Sequence, residues 1–175
     1  MRNRSIFVAL TVLAAPIWAT TLQQLSLDSM IGQSTAIVRA TVTGSTSGLV
    51  GRDIYTYYQF QVLETLKAGP APVTTVAVPG GVARGLRQMV AGAPVLTQGQ
   101  QYVLFLWTSR TGVTQVIGLS QGLFIVMQDE AGNTVLVRPA ASDLMLDQAG
   151  KVVNDQGISM SLTALRTEIQ KVLGN

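Results

Sequence analysis

Histidine and cysteine are absent from all 175 residues. No Ser-His-Asp or Cys-His nucleophile can therefore be assembled. Disulfides, zinc sites of the usual His/Cys kind and His- or Cys-ligated haem are excluded as well. Charge is sparse too: only 12% of residues are charged, and the three lysines (67, 151 and 171) stand far apart. The arginines are equally scattered, so the clustered basic face that nucleic-acid binding requires is missing. There is no repeat of solenoid period, no low-complexity tract and no linker rich in proline or serine. Carboxylate, Ser-Lys and tyrosine chemistry remain available. No metal or cofactor is expected.

The clearest signal present is an address. Arg2 and Arg4 form a basic start, Ile6 to Ala15 form an apolar run, and Ile17-Trp18-Ala19 ends on a small residue. That order predicts a secretory signal peptide over residues 1–19. Ten apolar residues at about 1.5 Å each fall well short of the roughly 30 Å of a bilayer core, so no membrane span is expected after cleavage. The protein should be secreted or periplasmic, and the lack of cysteine suits a bacterial compartment. Two of the 12 basic residues leave with the peptide, so residues 20–175 carry 10 basic against 9 acidic side chains. The intact mass of the exported protein should correspond to residues 20–175. A mass that keeps residues 1–19 refutes this assignment.

The remaining 156 residues fit a single domain large enough to bury a core without disulfides. "SLDSMIGQS" (26–34) predicts a short helix capped by Ser26, with Leu27, Met30 and Ile31 on one face. "AIVRATVTGS" alternates, with Val38, Ala40 and Val42 on one side. "IYTYYQFQVLETLKAGP" continues that pattern through Tyr58, Phe60 and Val62 and stops at Gly69-Pro70. "VTTVAVPG" is a third strand. "GQQYVLFLWTS" is apolar on both faces and so predicts a strand that is central and covered on both sides or lies under a helix. Glu130–Asn133 and Asp147–Gly150 read as turns. "SLTALRTEIQKVL" sets Leu162, Leu165, Ile169, Val172 and Leu173 at helical spacing, an amphipathic helix packed on the domain. Short strands with glycine turns and a helix at each end predict a small β-barrel or closed sheet, with a β-sandwich as the rival.

"VPGGVARGLRQMVAGAP" (78–94) is the segment with most functional promise. Gly80 and Gly85 have the spacing of a phosphate-binding loop, but Leu86 and Arg87 stand where the lysine and hydroxyl should be, so it is no nucleotide cradle. As a surface loop of about fifteen residues it is long enough to carry function. Gly80, Gly81, Arg84 and Arg87 are the candidate binding residues, the arginines offering forks to carboxylates on a partner. Leu86, Met89 and Val90 are expected to tuck inward.

Other candidates are weaker. Asp129 and Glu130 are adjacent at a turn, where a glycosidase pair would need a cleft and a desolvated acid. Lys67 and Lys151 are expected to be exposed at strand ends, which disfavours Ser-Lys catalysis. Tyr55 and Tyr57 share a strand face and could stack sugars or bases, while Tyr58 points away.

The order of short helix, "AIVRATVTGS", long strand ending in "LETLKAGP", "VTTVAV", loop and "QQYVLFLW" resembles the netrin-like OB fold of the tissue inhibitors of metalloproteinases, over roughly residues 22 to 107. "AIVRATV", "VPGG", "LRQMVAGAP", "YVLFLW" and "GLSQG" are also similar to a group of uncharacterised exported bacterial proteins, a likeness that implies no function. The first resemblance implies a netrin-like OB barrel. Those inhibitors act through an N-terminal cysteine that chelates the protease zinc, and no cysteine exists here, so that mechanism does not transfer. The expectation is an exported, non-enzymatic binding module with a protein or peptide partner. The alternative is a carboxylate-dependent hydrolase acting on cell-wall or extracellular polymer.

Overall fold

The doubly apolar segment forms the middle of the molecule. The computed structural model describes residues 21–69, 71–141 and 144–174; the signal peptide expected over 1–19 lies outside them. β1 (Thr21–Gln23) and α1 (Leu27–Gln33) precede two fifteen-residue strands, β2 (Ala36–Val50) and β3 (Asp53–Lys67). Then come β4 (Thr75–Pro79), a small hairpin of β5 (Gly81–Ala83) and β6 (Leu86–Gln88), β7 (Gln101–Thr108) and β8 (Thr114–Val116). After a 3-10 turn at Leu119–Gly122 follow β9 (Leu123–Gln128), β10 (Thr134–Arg138), β11 (Leu144–Leu146), β12 (Val152–Val153), β13 (Ile158–Ser161) and α2 (Leu162–Leu173).

The main sheet runs β13-β10-β9-β7-β2-β3-β4, antiparallel throughout, with β8 also paired to β7. β7 is its central strand, because side chains alternate across the pleat and both of its faces are apolar. Tyr102, Leu104 and Leu106 join Val38, Ala40, Val42, Tyr58, Phe60, Val76 and Val78 in one core. Val103 and Phe105 face the other way, into a second core with Ile37, Phe124 and Leu136. The two helices cover that second core.

Ser26 caps α1 as expected, its hydroxyl accepting from Ser29 N at 3.1 Å, and Met30 and Ile31 are fully buried. Ser161 caps α2, accepting from Ala164 N at 3.0 Å, and Leu162, Leu165 and Ile169 are buried. Leu173, expected on that stripe, is exposed. Lys67 also departs from expectation. It is half-buried, and its ammonium donates to the carbonyls of Ile31 at 2.8 Å and Gly32 at 3.2 Å, where α1 leaves carbonyls unpaired. Desolvation holds its pKa below the ordinary lysine value.

The structure is mainly β with a C-terminal helix, but the sheet does not close into a barrel. Register shifts in β2 against β3, at Ile37/Val38, Arg39/Ala40 and Val42/Gly44, add twist and curl the long hairpin. That curl brings β4 beside β8, yet no hydrogen-bond ladder joins them. β8 is only three residues long, and β4 ends at Pro79, which has no N–H to give. Among the described residues no helix is long and apolar enough to cross a membrane.

Candidate functional site

The segment 80–94 is more ordered than the loop expected there: it contains the β5–β6 hairpin. Ala83 pairs with Leu86, leaving Arg84 and Gly85 as a two-residue turn with φ of 51° and 75°. Positive φ at both turn positions is the geometry that matches strand twist in tight hairpins. Gly85 takes it freely, whereas Arg84 bears a left-handed backbone that a side chain disfavours.

The two leading glycines seat this hairpin on the body. A Cβ on Gly81 would overlap Thr56 Oγ1 and lie 2.8 Å from Ser47 Oγ, and one on Gly80 would lie 3.0 Å from Gln88 O. Only glycine allows that approach, and both also have positive φ, at 96° and 136°. Thr56 Oγ1 donates to Gly80 O at 2.8 Å, and Gly80 N donates to Ile54 O at 2.7 Å. From the second strand, Gln88 Oε1 accepts from Ile54 N at 2.6 Å, and its amide reaches Asp53. Gly80 and Gly81 therefore dock the hairpin, and Arg84 and Arg87 are the residues it presents, both exposed. Among the described residues neither arginine has an ionic partner.

Leu86 and Met89 do not tuck inward. They are 60% and 80% exposed, with Val82 at 60% and Val95 at 84%, the four most exposed large apolar side chains among the described residues. The expected inward packing fails because Gly81 and Gln88, not Leu86, occupy the contact with β2 and β3. Between the hairpin, the edge of β3–β4 and residues 89–95 lies an open cleft of about 420 Å³. Val82, Met89, Val95, Pro79 and Pro94 line it, and among the described residues Arg87 is its sole charged lining residue.

The other candidates fare differently. Tyr58 is buried and its hydroxyl accepts from Leu96 N at 3.4 Å, while Tyr55 and Tyr57 are half-buried on the opposite face of β3. Asp129 is exposed and spends its carboxylate on its own turn, accepting from Ala131 N, Asn133 N and the Asn133 amide. Those bonds, the Asn133 side chain first, hold its pKa below the usual carboxylate value, the direction opposite to that of a general acid. Asp147 closes the next turn in the same way through Ala149 N and Lys151 N. Glu64 lies between Arg39 at 3.4 Å and Arg166 at 2.7 Å. Asp155 is buried against Arg138. Among the described residues, no three carboxylates gather where a metal could sit.

Compared with protein families, with curated proteins and with solved structures, the chain matches none.

Proposed function

We propose that the protein is an exported, single-domain, non-enzymatic binding module, built on a netrin-like OB barrel left open between β4 and β8, that recognises a protein or peptide outside the cytoplasm. The observation that carries this reading is the hairpin. Its glycines and Gln88 fix it to the sheet, while Arg84, Arg87 and four large apolar side chains on or beside it face solvent. A rigid, partly apolar surface bearing arginines is the composition enriched at protein interfaces, and its rigidity lowers the entropic cost of binding. The OB-like description draws support from the curl that sets β4 beside β8. A hydrolase would need two carboxylates free to act across a cleft, whereas Glu64, Asp129, Asp147 and Asp155 are engaged in ion pairs or turns.

The test removes the charges without straining the turn. Asparagine tolerates positive φ, so Arg84→Asn combined with Arg87→Gln should keep the hairpin and leave unfolding free energy within about 0.5 kcal/mol of wild type. Used as baits in extracts of the producing cell, wild type should retain a partner that the double variant loses. Equal recovery by both baits refutes the hairpin as the contact. Loss of folding in the variant would make the arginines structural.

A further inference from the structure

The cleft behind the hairpin has a chemical character that selects a class of partner. Its rim is apolar and wet, because Val82, Met89 and Val95 line it while remaining mostly exposed. Its one charge is the guanidinium of Arg87, which has no ionic partner among the described residues. No carboxylate occurs in the sequence between Glu64 and Asp129, the stretch that supplies β4, the hairpin, β7 and β8. Asp53 lies at the hairpin base, where it accepts from the Gln88 amide at 3.3 Å. The positive charge at this cleft is thus left for a ligand to balance.

We infer that the cleft receives a polypeptide segment in which carboxylates are interspersed with apolar side chains, the carboxylate meeting Arg87 and the apolar groups covering Val82, Met89 and Val95. This rests on the binding-module reading and names the partner's chemistry. Arginine's fork suits a carboxylate, and a charge-assisted bond at the edge of an apolar surface is stronger than one in open water. A lipid surface fits less well. Insertion into a bilayer needs apolar side chains that project together from a convex face, whereas these three surround a concavity.

The experiment uses the whole chain and short dye-labelled peptides followed by fluorescence anisotropy. One peptide alternates glutamate with leucine, a second has lysine for glutamate, and a third has serine for leucine. Vesicles of phosphatidylcholine with and without phosphatidylglycerol are tested in parallel by flotation. The Glu-Leu peptide should bind, more weakly as salt rises, and the other two should not. Arg87→Gln should weaken binding about tenfold, the loss expected for one charge-assisted hydrogen bond. Met89→Ser should weaken it without changing its salt dependence. Lys171→Gln, on α2, should leave it unchanged. Equal binding of the lysine peptide, or no effect of Arg87→Gln, overturns the inference. So does attachment to the phosphatidylglycerol vesicles in place of the peptide. If the Glu-Leu peptide fails while the Arg84→Asn/Arg87→Gln bait still loses its cellular partner, the binding-module reading survives and only the acidic class falls.

Discussion

Phe105→Ala is expected to lower the unfolding free energy by about 3–5 kcal/mol, a large part of what holds a domain of this size together. Phe105 is fully buried on the helix-covered side of β7, the central strand. Its ring lies 5.4 Å from that of Phe124, centroid to centroid, at 41°, a tilted pair that adds to simple area burial. Helix α1 and helix α2 close over the same core through Met30, Ile31, Leu165 and Ile169. The void left by truncation would therefore be walled by a sheet on one side and two helices on the other, and such a site collapses poorly. Urea denaturation measures the effect, with an unchanged slope showing that the same surface is exposed on unfolding. Phe105→Leu should cost much less. A loss below about 1 kcal/mol for the alanine variant would mean that the two-core arrangement around β7 is wrong.

That core was legible in the sequence because β7 carries apolar residues at every position from Tyr102 to Trp107, and such a strand must be covered on both faces. Trp107 is the exception; it is half exposed where the strand runs out beside β8. The helix cap at Ser26 and the turns at Gly132 and Gly150 were also readable, since each depends on a local residue type at a fixed spacing. Closure of the sheet was not readable. It depends on how far β2 and β3 twist at their register shifts, and no residue in the sequence reports that angle.

The candidate site was legible by half. Gly80, Gly81, Arg84 and Arg87 stood out as residue types, but the hairpin around them did not. Its turn is Arg84-Gly85, whereas the dipeptides that announce such turns are Asn-Gly and Asp-Gly. Gly80 and Gly85 have the spacing of a ligand loop, whereas Gly81 serves close packing against Ser47 and Thr56 on two other strands and Gly80 lies against the Gln88 backbone. Leu86 and Met89 are expected inside because apolar residues in a loop are ordinarily assigned to the interior, Val82 and Val95 carry no signal of their own, and only the seating of the hairpin shows that all four face solvent.

Removing the carboxylate of Asp155 is the other change expected to be severe. Arg138 and Asp155 form a two-pronged ion pair, NH1 to Oδ2 at 2.5 Å and NH2 to Oδ1 at 2.7 Å, with both side chains almost wholly buried. The only hint in the sequence is that Arg138 occupies the same strand face as the fully buried Leu136. Asp155 also accepts from Ala141 N at 2.7 Å and Gly157 N at 3.4 Å, so one carboxylate ties together both ends of the segment that carries β11 and β12. Asp155→Ala strands the guanidinium in the interior and frees those amides, a loss of about 3–5 kcal/mol. Arg138→Met combined with Asp155→Leu should recover much of it, because the pair's desolvation cost goes with the pair and the Arg138 Nε is buried without a partner among the described residues. A double-mutant cycle by urea denaturation measures the coupling. Acid should reproduce the single loss. The Arg138 side chain above all, helped by the backbone amides, holds Asp155 at a pKa of about 2, against 3.8 for the free group. A depressed folded-state pKa stabilises above the unfolded value, so this contribution is complete above about pH 5 and is lost as pH falls from there through about 2. Wild type should therefore lose more stability between pH 5 and pH 2 than Arg138→Met/Asp155→Leu does. Parallel acid curves for the two proteins would show that the pair does not anchor this segment.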